Sequence, residues 1–186
     1  MEVLQPLFNA KTAALLFDSD RQGYEREVFR ACVLGRPHLV IVNVTDDDDV
    51  FGCYVDRPLT LLNQWNPIGT LKVLTFALAG TCHAPQRFCQ AREGYNGGLG
   101  VCLWDFSYLY TTYLFGVGDT ARSVGWVSTT PEQWFPNLDR NAVFSNSHFV
   151  VKRVLAFQSD TFVSTYCASS VRFTVPRPAT PECTTQ

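Results

Sequence analysis

A run of four aspartates, residues 46–49, is one group in the chain that could bind a metal ion. Several carboxylates on one short loop suit Ca²⁺ or Mg²⁺. The run lacks the spaced ligands, the glycine and the distal glutamate of the helix-loop-helix calcium motif. Because aspartate also stabilises turns through local hydrogen bonds, we predict a solvated hairpin turn rather than a metal site. The alternative is a cation site with the ligands Asp46, Asp47, Asp48 and Asp49.

A second group combines cysteine with histidine. Cys82, His83 and Cys89 lie close together in the sequence, but their spacing differs from the Cys-x-x-Cys pairs of structural zinc sites. We therefore favour scattered core thiols. A reactive cysteine needs an electropositive, partly exposed environment, which His83 and Arg87 could supply. The alternative function is accordingly a thiol-dependent redox or hydrolytic enzyme that uses Cys82 or Cys89.

Other catalytic patterns are not recognisable. The glycine-rich residues 94–100 lack the following Lys-Ser or Lys-Thr of a phosphate-binding loop, and they lead into a strand-like segment. His38, His83 and His148 are far apart in the sequence, and no serine occupies a Gly-x-Ser-x-Gly elbow. We therefore expect no catalytic set and no cofactor, and we favour a protein without enzymatic activity.

The composition indicates one folded domain. The chain has 186 residues, of which 46% are hydrophobic and 17% charged, too apolar for a disordered protein. A net charge of -2 provides no field that would attract nucleic acid. The uninterrupted apolar runs are far shorter than the roughly 20 residues needed to cross a bilayer, and no secretory signal is recognisable at the N-terminus. With an odd number of cysteines, 7, and no paired spacing, we expect reduced thiols and a cytoplasmic location.

The elements that must position these residues begin with a helix. Asp18, Ser19 and Asp20 can cap a helix that starts near Gly23. Its apolar stripe consists of Tyr24, Val28, Phe29, Cys32 and Val33. Gly35, followed by Pro37, is placed to end this helix.

A β-hairpin is predicted next. Residues 38–44 and 50–55 are rich in β-branched side chains, and the aspartate run between them has strong turn chemistry. Residues 39–42 are continuously apolar, which is typical of a strand covered on both faces. We therefore expect a central hairpin whose tip carries the aspartates.

The second half of the chain reads as further strands. We predict strands at residues 71–78, 87–89, 101–106, 108–115, 123–128 and 149–157. Residues 94–100 and the glycines at 116 and 118 are predicted as turns, and residues 130–134 as a short helical turn. The end of the chain, from residue 168, resembles a frayed tail.

These elements resemble a known family. Leu15-Leu16-Phe17-Asp18, followed by Gly23 and Phe29 on a helix and by the hairpin strand Val50-Phe51-Gly52-Cys53-Tyr54, resembles the TLDc domain. Residues 73–78 are similar to that family's Phe-Leu-Phe-Ser-Leu strand, and Phe149 with Val154-Leu155-Ala156-Phe157 looks like its terminal strand. The usual signature of the family's second half is not present, so the chain resembles a divergent member over about residues 10–160.

The resemblance implies a fold and a function. The implied α+β fold has two antiparallel sheets packed as a β-sandwich, flanked by a few short helices. It implies a single domain over residues 1–165, with a C-terminal strand or tail at residues 166–186. Such proteins are associated with resistance to oxidative stress, and several bind the peripheral sector of the vacuolar proton-pumping ATPase. We therefore expect a non-catalytic domain that binds a protein partner, with that ATPase sector as the candidate.

Overall fold

The computed structural model describes two short helices and eleven β-strands. The described residues are 13–60, 62, 66–67, 74–79, 86–88, 100–102, 107–111, 115–118, 124–127 and 146–159. The helices are α1 (Ser19–Gln22) and α2 (Arg26–Val33). The strands are β1 (Ala13–Asp18), β2 (Leu39–Thr45), β3 (Val50–Val55), β4 (Asn66–Pro67), β5 (Leu74–Ala79), β6 (Gln86–Phe88), β7 (Gly100–Cys102), β8 (Ser107–Thr111), β9 (Phe115–Gly118), β10 (Val124–Val127) and β11 (His148–Ser159).

Within these residues the strands are hydrogen-bonded into an 11-stranded sheet. Its order is β4-β7-β8-β9-β10-β11-β2-β3-β5-β6, and β1 pairs with β11 outside this path. Neighbouring strands in this order are antiparallel. The prediction of an α+β fold dominated by antiparallel strands is therefore confirmed.

The predicted hairpin is also confirmed. Strands β2 and β3 pair in continuous register, from Leu39 opposite Val55 to Val44 opposite Val50. Strand β11 lies on the other side of β2, and β5 lies on the other side of β3. The hairpin is therefore internal to the sheet, as its continuously apolar residues predicted.

Both faces of this hairpin are buried. Successive residues of a strand point to opposite faces, so the two sets of side chains belong to different faces. On one face, Leu39, Ile41, Phe51, Cys53 and Val55 are at most 1% exposed. On the other face, the core cluster consists of Val40, Val42, Tyr54, Phe76, Leu78 and Phe157. Burial on two sides removes the need for an alternating sequence pattern.

Gly52 allows the hairpin to pack this closely. It lies opposite Val42 on the neighbouring strand β2. A β-carbon at this position would overlap the Ile41 carbonyl oxygen and the Phe76 ring. Because the overlap involves backbone on one side, a side-chain rotation cannot relieve it, and the position requires glycine.

The capping prediction is wrong in its detail. Asp18 caps the four-residue helix α1, accepting a hydrogen bond from the Asp20 backbone N–H at 3.1 Å. Helix α2 begins later, at Arg26, and its N-cap Glu25 forms no side-chain cap hydrogen bond. The reason is Gly23, whose φ of 81° interrupts the helical path between the two helices.

The buried side of α2 is narrower than the predicted stripe. Phe29 and Val33 are fully buried, whereas Val28 and Cys32 are half-buried. The Phe29 ring meets Phe17 of β1 edge-on, with ring centroids 5.1 Å apart. Gly35 follows the helix with a φ of 72°, as expected of a glycine that ends a helix.

No helix in the described part of the chain is long and apolar enough to span a membrane.

One predicted strand in the second half is divided. Residues 108–115 were expected to be one strand, but Ser107–Thr111 and Phe115–Gly118 are separate strands that pair with each other. Gly116 and Gly118 therefore lie in a strand rather than in turns. Gly116 is opposite both Tyr110 and Trp126, and Gly118 is opposite Ser107. Glycine costs entropy in a strand but does not prevent ladder pairing, so the turn prediction was wrong here.

Several predictions fall wholly or partly outside the described residues. These are the turn at 94–100, the helical turn at 130–134, the tail from 168 and the domain boundary after 165. Of the predicted turn only Gly100 is described, and it is the first residue of strand β7 rather than part of a turn. The predicted strands at 71–78, 87–89, 101–106 and 123–128 are described in part, as β5, β6, β7 and β10. The last predicted strand, residues 149–157, is confirmed as β11.

Replacement of Gly52 by alanine should be strongly destabilising, because the new β-carbon overlaps backbone and ring atoms. We expect a loss of about 3 kcal/mol in the free energy of unfolding, measured by urea denaturation. Gly35→Ala is the matched control, since nothing lies within 4 Å of its β-carbon position and only its φ of 72° is unfavourable. The control should lose about 1 kcal/mol. Equal losses in the two variants would contradict the overlap.

Candidate functional site

The four aspartates lie at the tip of the β2–β3 hairpin. The Thr45 N–H donates to the Asp49 carbonyl oxygen at 3.0 Å, and the Asp48 N–H donates to the Thr45 carbonyl oxygen at 3.1 Å. The Thr45 hydroxyl accepts a hydrogen bond from the Asp49 N–H at 3.1 Å. Asp48 has a φ of 60°, a left-handed conformation that aspartate tolerates better than most residues. The tip is therefore a turn whose backbone is fixed by its own hydrogen bonds.

The carboxylates of the tip have different partners. Asn146 Nδ2 donates to Asp47 Oδ2 at 3.0 Å, and Lys152 Nζ lies 3.4 Å from Asp48 Oδ1. The residues Asp46, Asp47 and Asp48 are exposed, as expected for a solvated turn, but Asp49 is buried at 2% exposure. Among the residues that the structure describes, no three His, Cys, Asp or Glu side chains are grouped to hold a metal ion.

A second polar cluster joins the end of β1 and the start of α1 to strand β11. Arg153 in β11 donates two hydrogen bonds to Asp18 at the end of β1, from Nε to Oδ1 at 3.0 Å and from Nη2 to Oδ2 at 2.8 Å. Its Nε also lies 3.0 Å from Asp20 Oδ2. The Ser19 hydroxyl accepts a hydrogen bond from the Val154 N–H at 3.0 Å. We call Asp18, Ser19, Asp20 and Arg153 the closing corner, because they connect residues 135 positions apart.

The environment of Asp18 favours its charged form. Hydrogen bonding from Arg153 lowers the pKa of this carboxyl below its usual value. The Asp20 backbone N–H and the charges of Arg153 and Arg21 act in the same direction, against the effect of burial. Donation of the same hydrogen bonds to the Asp18 carboxylate raises the pKa of Arg153. Because the Asp18 side chain is only 2% exposed, this charge depends on its partner.

The thiol site of the alternative function lies outside the part of the chain that the structure describes. Cys82, His83 and Cys89 lie outside the described residues, and Arg87 is described only as part of the backbone of β6. Of the cysteines, Cys102 is described only as part of the backbone of β7, whereas Cys32 and Cys53 are free thiols. Burial raises the pKa of Cys53 to about 12, so this thiol is protonated at neutral pH. Cys53 is therefore an apolar core residue rather than a nucleophile.

Two polar side chains in the buried sheet were missed by the sequence analysis. Asn43 in β2 is 0% exposed and Thr75 in β5 is 3% exposed. Within the described part of the chain, the side-chain Nδ2 and Oδ1 atoms of Asn43 have no hydrogen-bond partner, and the Thr75 hydroxyl has none either. The sequence does mark Asn43 as unusual, because it is the one amide side chain in the apolar strand Leu39–Thr45. A buried polar group without a partner costs about 1–3 kcal/mol.

His38 was considered only as an isolated histidine, but it has a defined contact. Its Nδ1 lies 2.8 Å from the Tyr54 hydroxyl, whose ring belongs to the core cluster. The His38 backbone has a φ of 56° at the start of β2. This contact lies at the open end of the hairpin, opposite the aspartate tip. The His38 backbone itself is hydrogen-bonded there, since its N–H donates to the Asp56 carbonyl oxygen and its carbonyl oxygen accepts from the Ser159 N–H.

The chain was also compared with known proteins. No protein-family model matches it, and no curated protein is significantly similar to it in sequence.

Acid should destabilise the protein through Asp18. The folded-state pKa of this carboxyl is lowered, so its stabilisation is complete above the unfolded value of about 3.9 and is lost as the pH falls through the folded value. Urea denaturation between pH 7 and pH 2.5 should show this loss. Asp18→Asn should already be about 1–3 kcal/mol less stable at pH 7 and should lose less on acidification. Asp47→Asn, at the exposed tip, should keep the wild-type profile, and equal profiles for Asp18→Asn and wild type would contradict the assignment.

Alkylation of the native protein should spare Cys53. Its pKa of about 12 and its full burial leave almost no accessible thiolate at pH 8. Iodoacetamide labelling followed by peptide mass spectrometry should modify the half-buried Cys32 first, and Cys53 only after addition of urea. The same experiment measures Cys82 and Cys89, for which rapid labelling at neutral pH would favour the thiol-dependent alternative. Labelling of Cys53 at the same rate with and without urea would contradict its burial.

Proposed function

We propose that this chain is a divergent, non-catalytic TLDc-like domain that binds a protein partner. The candidate partner is the peripheral sector of the vacuolar proton-pumping ATPase, and the candidate process is resistance to oxidative stress. The observation that carries the proposal is the closing corner, in which Asp18 and Arg153 form a bidentate pair. This pair joins the first segment that resembles the family to the strand that resembles its last segment.

Packing beside the corner supports the same proposal. Phe17 and Phe29, both from the first family-like segment, are in edge-on ring contact and fully buried. Gly52 in the hairpin segment occupies a position that excludes any β-carbon. The packing therefore explains why these positions carry two phenylalanines and a glycine. All three residues are required by the same structural unit, rather than by separate local patterns.

The two-sheet sandwich is part of the proposal. Both faces of the β2–β3 hairpin are buried, and a helix of 8 residues, α2, is too small to cover them. Strands β4 and β7–β10 are available for a second layer, and β11 pairs with both β10 and β2 around a register shift between Val151 and Arg153. Nuclear Overhauser contacts between side chains of β8–β10 and the hairpin should be observed. Their absence would leave a single-layer arrangement.

Binding can be measured directly with the folded chain. We expect saturable binding of the immobilised protein to the purified peripheral sector of the vacuolar ATPase, recorded by biolayer interferometry. At a temperature between the melting temperatures of the two variants, the Gly52→Ala chain is unfolded and should not bind, whereas the more stable Gly35→Ala chain is folded and should bind. The pair of variants therefore separates recognition by the folded domain from adhesion of exposed apolar chain.

Two results would count against this function. No saturable binding by the folded wild-type chain would exclude this partner. Equal binding by wild type and by an unfolded Gly52→Ala chain would show that the interaction does not need the domain. Circular dichroism on the same samples establishes which chains are folded.

A further inference from the structure

The sequence contains a single Asn-x-Ser/Thr acceptor tripeptide, Asn43-Val44-Thr45. Such tripeptides accept N-linked oligosaccharides in proteins that pass through the secretory pathway, where the modified asparagine lies on the surface. Here the tripeptide forms the end of β2, an internal strand of the sheet. The motif and its location in the fold therefore conflict.

The acceptor amide itself is enclosed. Asn43 is 0% exposed, and its Cα lies opposite Phe51 on β3 and Val154 on β11. Both neighbouring positions in the sheet are thus occupied by other strands. A one-residue shift of β2 would turn Asn43 to the other face, but it would also turn the apolar residues of β2 away from their contacts. The folded chain has no room for a sugar on this side chain.

The hydroxyl residue of the tripeptide is enclosed as well. Thr45 is 0% exposed, and its hydroxyl accepts a hydrogen bond from the Asp49 N–H. The Thr45 N–H donates to the Asp49 carbonyl oxygen. Both residues that define the acceptor are therefore hidden in the folded state, one in the sheet and one in the hairpin turn.

We propose that Asn43 is an N-glycan acceptor only in the unfolded chain, so that glycosylation and the native fold exclude each other. In the transfer, Asn43 Nδ2 loses a proton and bonds to the anomeric carbon of an oligosaccharide, while the lipid pyrophosphate that carried the sugar leaves. A chain modified in this way cannot insert β2 between β3 and β11. Native protein therefore comes from a compartment without the transferase, or from chains that fold before they meet it. This inference is independent of the proposed partner.

The test directs the chain into the secretory pathway of cultured eukaryotic cells behind a cleavable signal. Three chains are compared: the unchanged chain, Asn43→Val, and Asn43→Val combined with His148→Thr. The last substitution completes an acceptor tripeptide at Asn146, where residues 146–148 are exposed. Glycan is detected by endoglycosidase digestion and mass spectrometry, and folding by limited proteolysis and thermal melting.

We expect no molecule of the unchanged chain to be both glycosylated and protease-resistant. Its glycosylated fraction should lack a melting transition, whereas the chain carrying His148→Thr should be glycosylated and still melt cooperatively. A protease-resistant molecule with glycan on Asn43 and the melting temperature of the unmodified protein would overturn the proposal.

A second measurement does not depend on any variant. Unchanged protein made in the cytosol is incubated with solubilised oligosaccharyltransferase and its lipid-linked donor, either native or after unfolding and dilution. Asn43 should be modified only in the sample that was unfolded. Modification of the native sample at the same rate would also overturn the proposal.

Discussion

The bidentate pair between Asp18 and Arg153 holds the N-terminal part of the described domain on its last strand. Strand β1 has only six residues and pairs only with β11 among the described strands. Because β1 has a hydrogen-bonded neighbour on one side only within the described sheet, the corner at its end adds a side-chain attachment to the same strand β11. Since the Asp18 side chain is nearly inaccessible to water, removal of Arg153 would leave this buried charge with only the Asp20 N–H and the exposed Arg21 side chain as partners among the described residues.

The position of β1 in turn places helix α2. The ring of Phe17 in β1 contacts the ring of Phe29 edge-on, and this contact holds α2 against β1. Asp18 also caps α1, so one carboxylate ends a strand, begins a helix and neutralises an arginine of a distant strand. These three roles constrain the residue more strongly than any one of them, because a substitute must satisfy all three.

The sequence predicted those features that depend on local chemistry. The hairpin was predicted because four aspartates separate two segments rich in β-branched residues. The end of helix α2 at Gly35 was predicted because glycine is preferred immediately after a helix. The start of α2 was missed because Gly23 adopts a positive φ, which sequence permits at any glycine but does not require. The prediction of one strand at 108–115 missed its division into β8 and β9, because the pairing of these strands depends on contacts that no local pattern shows.

The candidate site illustrates the same limit. Asp18 was recognised as a cap, but its partner lies 135 positions away and no local pattern connects them. Asn43 was not predicted to be special because it lies within an apolar run. A buried amide in such a run indicates either a hydrogen-bonded network or an unsatisfied polar group. The aspartate tip was correctly placed at a turn, but only the structure shows that Asp49 is buried and differs from the other three.

The closing corner depends on direct coupling between Asp18 and Arg153, and a double-mutant cycle measures that coupling. The free energy of unfolding is determined for wild type, Asp18→Asn, Arg153→Met and the double variant at pH 7. Charge-assisted hydrogen bonds are worth about 1.5–3 kcal/mol, and the 39% exposure of Arg153 places the expected coupling energy near the lower end, about 1.5 kcal/mol. A coupling energy within about 0.5 kcal/mol of zero would mean that the two residues act independently and would contradict the account.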